Sequence, residues 1–143
     1  MSLSGAYDGN NIFAKILRGD MPCVKVFEDE VCLAFMDIFP QSPGHTLVIP
    51  KTPARNFLDF PADGLGAYMA RVQRVAEAVN KAFKPDGIII TQFNGAPAGQ
   101  TVFHLHFHII PKYENLPMER HARGKSGDSE VLHAQAEEIA GFL

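Results

Sequence analysis

The chain has 143 residues, 46% hydrophobic and 20% charged, with a formal net charge of −3; these values describe one folded domain and exclude a disordered chain. With no long basic run, the charge gives no support for nucleic-acid binding as the main activity, and no apolar stretch reaches the roughly 20 residues of a membrane span. Cys23 and Cys32 cannot build a disulfide framework and are expected as buried free thiols of a reducing compartment. The start MSLSGAYDGNN lacks the basic-then-apolar pattern of a secretory signal, so the expected location is cytoplasmic.

Residues 1–10 are small and polar, a flexible tail by composition, and a single domain is expected over 11–143. In NIFAKILRG, Ile12, Phe13, Ile16 and Leu17 recur at helical spacing between a capping Asn11 and a stop at Gly19. VKVFED and VCLAFMDI are β-branched and aromatic runs around a short turn, which predicts an antiparallel hairpin. PQSPG breaks the chain before a third strand, HTLVIPK. Over 63–83, Leu65, Tyr68, Met69, Val72, Val75, Ala76, Val79 and Phe83 share one face, so this is the long helix that packs on the sheet. IIITQF reads as a central strand. A loop, NGAPAGQTV, leads to a fifth strand that contains three histidines. Residues 114–128 read as an exposed loop and 129–143 as a C-terminal helix capped by Asp128 or Ser129. Five strands in antiparallel groups with three helices make the fold class α+β.

The fifth strand poses the functional question. In HLHFHII, residues 104–110, strand alternation puts His104, His106 and His108 on one face and Phe103, Leu105, Phe107 and Ile109 on the other. The apolar face is expected under the long helix. The imidazoles are expected at a cleft, because a dry core would leave ring nitrogens unsatisfied. Two chemistries use such a row. An H-x-H pair can bind a metal at about 2.0–2.1 Å per nitrogen. Positions i and i+4 of a strand, however, lie about 13 Å apart, so a further ligand would come from Asp37 or His45. Phosphate chemistry instead uses one neutral imidazole as nucleophile while its neighbours donate protons or hold oxygens, and needs no metal. The loop before the row favours phosphate. Gly95 and Gly99 allow tight turns with N–H groups pointing outward, and Asn94, Gln100 and Thr101 add neutral donors.

HLHFHII also fits the pattern His-φ-His-φ-His-φ-φ, with φ apolar. With NIFAKILRGDMPCVKVFEDEVCLAFMDI and PGHTLVIPK upstream, residues 11–111 resemble the histidine triad (HIT) family. The resemblance implies a HIT-like fold: a five-stranded antiparallel sheet with one long helix, a short N-terminal helix and a C-terminal helix, paired into a homodimer. It implies a nucleotide-binding hydrolase acting on a purine nucleotide such as an AMP derivative. Cleavage would fall at the α-phosphate of phosphoramidates, acyl-nucleotides or dinucleoside polyphosphates, through a nucleotidyl-histidine intermediate and without a cofactor. His108, where nucleotidyl-transferring relatives carry glutamine, points to hydrolysis.

By the same resemblance His106 is the nucleophile, His104 and His108 flank it, and His45 is an additional histidine near the catalytic strand. Asp37 would hold the ribose hydroxyls. Phe13, Ile38 and Leu47 would wall the base pocket, and Asn94, Gly99, Gln100 and Thr101 would form the phosphate loop. Relatives with structural zinc carry a C-x-x-C pair where this chain has Asn11 and Ala14, so no zinc is expected. His121 and His133 lie beyond the matched stretch and are expected as surface residues. Two other readings stay open: a nucleotide-binding adaptor with vestigial activity, and a metallohydrolase using the H-x-H pair.

Overall fold

Local signals place the elements of the computed structural model, which describes residues 2–119 and 126–143; the expected exposed loop falls partly, and His121 wholly, outside the described residues. The first helix, α1 (Ile12–Leu17), begins where the Asn11 side chain accepts the Ala14 N–H at 2.9 Å. Strands β1 (Lys25–Glu28) and β2 (Cys32–Met36) form the expected hairpin. Its turn is closed by the Asp29 carboxylate, which accepts the Val31 and Cys32 N–H groups at 2.9 Å each.

The turn into β3 (Thr46–Pro50) requires Gly44, whose φ is +92°. A Cβ there would lie 3.0 Å from the Phe83 ring and 3.1 Å from Pro111, so no larger residue delivers His45 to this place without a shift. The long helix α2 (Leu65–Phe83) starts two residues later than its periodicity suggests, because 62–64 wind as a 3-10 turn. Its buried face includes Tyr68, Val72, Val75, Ala76 and Val79, as expected. The Tyr68 hydroxyl donates to the Val48 carbonyl at 2.7 Å and pins the helix to β3. The remaining elements are β4 (Gly87–Thr91), β5 (Phe107–Lys112) and α3 (Ser129–Ala140), the last capped by the Asp128 carboxylate on the Glu130 and Val131 N–H groups.

The five strands make one antiparallel sheet in the order β1-β2-β3-β5-β4, which with three helices is the expected α+β architecture. Alternation along the strands divides the interior. Cys32, Ala34, Met36, Val48 and Ile109 pack with α2 and α3, whereas Leu33, Phe35, Leu47 and Ile49 pack with Phe13 of α1. Both cysteines are free, and burial pushes the Cys32 thiol up to about 12. Among the described residues no helix is long and apolar enough to cross a membrane.

Two expectations need correction. The IIIT run is an edge strand and not a central one: β5 inserts between β3 and β4, leaving Ile89 38% and Ile90 50% exposed. The histidine row is also not one strand, since β5 begins at Phe107 and residues 104–106 lie before it. Their backbone is tied instead to the segment after β3, with the Leu105 N–H on the Ala54 carbonyl at 2.9 Å. The amino-terminal segment has neither helix nor strand over residues 2–10. It is docked nonetheless: the Ser2 carbonyl accepts from Arg55 Nε at 3.1 Å, and the Leu3 carbonyl accepts from Asn56 Nδ2 at 2.7 Å.

Candidate active site

A pocket of about 540 Å³ opens on the α1 side of the sheet, a volume suited to a small-molecule ligand. Leu47 and Phe35 of the sheet, Phe13 and Ile16 of α1, and Ile38 after β2 make it largely apolar. Its polar lining residues include Asp37, Thr101, His106 and His108.

The hydrogen-bond partners of the histidines determine their tautomers, because a carbonyl can only accept and a backbone N–H can only donate. His104 Nε2 lies 2.9 Å from the Pro50 carbonyl and therefore carries the proton; Nδ1 then accepts from the Tyr7 hydroxyl at 2.6 Å. His106 donates Nδ1–H to the His104 carbonyl at 2.7 Å, which leaves its Nε2 unprotonated in the neutral ring. The Gln41 N–H donates to His45 Nδ1 at 3.0 Å. His45 Nε2–H then donates to His108 Nδ1 at 3.0 Å, so His108 carries its proton on Nε2. The site thus sets one basic nitrogen, on His106, beside a ring that carries an N–H donor, with 5.0 Å between the ring centroids.

Asp37 Oδ1 accepts the Phe39 N–H at 2.8 Å, and Oδ2 lies 3.4 Å from His45 Nε2. Burial raises its carboxyl from 3.8 to about 6, against the lowering effect of the Phe39 N–H. Burial also lowers the pKa of His104, with the Pro50 carbonyl opposing, so that ring is held neutral.

The ligating atoms of Asp37, His45 and His108 lie within 4.8 Å of one another, the spacing of a candidate metal cluster. The donor set does not suit one. A metal on His45 Nε2 requires the proton to sit on Nδ1, yet Nδ1 faces the Gln41 N–H. His45 would have to give up that bond to become a ligand, so the grouping fits a chain of proton donors better than a metal centre.

Of the residues singled out from sequence, Phe13, Asp37, Ile38, Leu47, Thr101, His106 and His108 line the pocket. His104 and His45 are fully buried behind it and act on His106 and His108 through hydrogen bonds. Asn94, Gly99 and Gln100 do not line it. Gln100 accepts the Gly95 N–H at 2.8 Å and donates to the Arg55 and Val102 carbonyls at 2.7 and 3.0 Å, so it braces the loop from within. Asn94 exchanges amide hydrogen bonds with Gln92 and accepts the Phe57 N–H at 3.0 Å. Gly99, at φ +112°, supplies the left-handed turn that ends the 3-10 segment Ala96–Ala98. Sequence reasoning missed Ser129 and His133 of α3. His133 is exposed, as expected, but it stands at the pocket. No local pattern could reveal this, because α3 reaches the pocket only through tertiary packing.

A five-stranded antiparallel sheet with a histidine triad at its fifth strand, two of whose rings line a small-molecule pocket while the third is buried behind them, defines a histidine triad domain. The family model described as the HIT domain matches residues 18–115, and the chain belongs to the HIT family. It is 40% identical over 137 residues to adenosine 5'-monophosphoramidase hnt1 of Schizosaccharomyces pombe, covering 92% of this chain and 97% of that protein. It is 39% identical over 111 residues to adenylylsulfatase HINT3 of Arabidopsis thaliana, covering 78% of this chain and 56% of that protein. A crystal structure of a HIT-like protein involved in cell-cycle regulation from Bartonella henselae, with an unknown ligand, superimposes with a TM-score of 0.88 at 49% identity. That match covers 96% of this chain and all of the other.

Proposed function

We propose that the protein is a metal-independent nucleotide hydrolase that cleaves adenylated substrates at the α-phosphate, with His106 as nucleophile. The observation that carries this reading is the tautomer of His106: Nδ1–H is held by the His104 carbonyl, so in the neutral ring the lone pair that would attack phosphorus is on Nε2. The N–P bond forms as the bond from phosphorus to the leaving group breaks; an oxyanion departs as such, whereas an amine departs neutral once its nitrogen has taken up a proton from solvent. His108, with its proton on Nε2, stabilises the charge that develops on the phosphoryl oxygens. Water then attacks the same phosphorus, breaks the N–P bond and releases the nucleoside monophosphate and a proton, which regenerates neutral His106.

The remaining lining residues support a purine nucleotide. Phe13, Ile38 and Leu47 offer an apolar slot for the base, and ionised Asp37 offers acceptors for the ribose hydroxyls. The names of the two relatives, a monophosphoramidase and an adenylylsulfatase, support an AMP moiety bonded to nitrogen or to sulfate. Thr101, which lines the pocket at the end of the loop braced by Gln100 and Asn94, would lie beside the phosphate. Under this reading the protein acts in the cytoplasm as a homodimer, with neither nucleic acid nor membrane as partner. The unpaired edge of β4, with its exposed Ile89 and Ile90, would meet the same strand of a second copy.

The test is His106→Ala assayed on an adenosine phosphoramidate. Turnover is expected to fall by about 10³-fold or more, as loss of a nucleophile commonly does, while AMP binding is retained. A variant with wild-type turnover overturns the mechanism. A wild-type protein that binds AMP tightly but cleaves no adenylated amine is a nucleotide-binding sensor instead.

A further inference from the structure

We propose that Tyr7, from the amino-terminal segment, is a positioning residue for His106 and acts through His104; this rests on the reading of His106 as nucleophile. His104 is wholly buried. Its two ring nitrogens are engaged by the Tyr7 hydroxyl at 2.6 Å and the Pro50 carbonyl at 2.9 Å. A neutral imidazole has one donor and one acceptor, and this pair of partners satisfies both in a single ring orientation and a single tautomer. The carbonyl of the same residue receives His106 Nδ1–H at 2.7 Å. The path from hydroxyl to nucleophile is therefore one side chain and one peptide group long.

The surrounding packing makes this path stiff. The Tyr7 and His104 rings meet edge to face with centroids 5.6 Å apart. Phe13 stands edge-on to both histidines, 6.4 Å from His104 and 4.9 Å from His106. A rotation of the His104 ring would therefore disturb Phe13 and His106 together.

Tyr7 is itself held from both sides. Before it, the Ser2 and Leu3 carbonyls are bonded to Arg55 and Asn56. After it, the Asp8 carbonyl accepts from Asn11 Nδ2 at 2.7 Å, and the Gly9 carbonyl accepts from Arg18 Nη1 at 2.7 Å. A segment anchored at both ends presents its hydroxyl with little ordering left to complete. Without that hydroxyl, His104 Nδ1 would be a buried acceptor lacking its donor, and the ring would gain alternatives: a second tautomer or a turn away from Pro50. Either one loosens the carbonyl that orients His106.

The experiment is Tyr7→Phe, which keeps the ring contact and removes only the hydroxyl. With an adenosine phosphoramidate, kcat is expected to fall about tenfold, the equivalent of one hydrogen bond, while KM and AMP affinity stay within about twofold. In ¹⁵N imidazole spectra, His104 Nδ1 should shift toward a non-bonded acceptor, and His106 should change from one tautomer to a mixture. Wild-type kcat, or unchanged His106 nitrogen shifts, overturns the proposal. So does a lowered melting temperature with a raised KM and unaltered His106 signals, since that describes a structural strap alone. The spectra need no turnover, so a wild-type protein inactive on the substrate would defeat the functional reading and leave the Tyr7 arm to be decided separately.

Discussion

His45 and His108 are joined nitrogen to nitrogen at 3.0 Å, both rings are buried, and one backbone N–H, that of Gln41, decides which nitrogen of each carries the proton. A peptide group four residues before His45 thereby determines that His108 offers an N–H donor from Nε2 and not an acceptor. The arrangement suits a site that receives an anion.

Replacement of His45 by alanine is expected to reduce kcat/KM on an adenosine phosphoramidate by roughly 10- to 100-fold. His108 Nδ1 loses its donor, the proton can move to that nitrogen, and Nε2 then presents a lone pair to the phosphoryl oxygens. Steady-state kinetics check this; unchanged kcat/KM would mean that His45 only fills space.

Asp37 predicts a pH dependence whose sign follows from its raised carboxyl. The folded protein binds this proton more tightly than the unfolded chain does. The stabilising contribution is complete below the unfolded value of 3.8 and is lost as pH rises through about 6. The shift corresponds to a loss of roughly 3 kcal/mol. Asp37→Asn should therefore melt at a higher temperature than wild type at pH 7 and show no such advantage at pH 4. If Asp37 holds the ribose as proposed, AMP binding has the opposite trend, because only the ionised carboxylate offers acceptors alone: wild-type AMP affinity should weaken below about pH 6. His45 Nε2 at 3.4 Å is the titratable neighbour facing this carboxylate. Thermal denaturation and calorimetric titration across pH 4–8 read both effects.

Ile90→Lys addresses the β4 edge. Ile90 is half exposed beside a groove bordered by Met69, Val72 and Ala76 of α2. A charge placed there opposes edge-to-edge pairing. Light scattering at micromolar concentration should show a dimer for the wild-type protein and a monomer for the variant. A monomeric wild-type protein would remove the dimer from the account.

The parts of this protein legible in its sequence are those governed by neighbours within a few residues. The Asn11 and Asp128 caps, the buried stripe of α2 and the β1–β2 hairpin follow from local spacing, and the structure shows each of them. The pocket residues Asp37, His106 and His108 were legible because the histidine spacing and its resemblance to a family set them apart. Gln100 was not: an amide in a glycine-rich loop looks alike from sequence whether it turns toward a ligand or toward the Arg55 carbonyl.

An apolar run such as IIIT reports only that a strand has something to cover it, not which neighbour does so. Chain order alone could not say that β5 would insert between β3 and β4. Alternation likewise put three histidines on one continuous strand, because it assumes ladder bonding throughout; the Leu105 N–H instead meets the Ala54 carbonyl, and the His104 ring the Pro50 carbonyl, each about fifty residues away in sequence. The sequence by itself determined where helices and strands begin, which side of each is apolar, and that an imidazole cluster sits among them. Only the tertiary structure decided which ring nitrogens hold protons, that Tyr7 and α3 reach the site, and which strand lies at the edge. The reason is that hydrogen-bond donors and acceptors choose partners by proximity in space, a quantity that spacing along the chain does not encode.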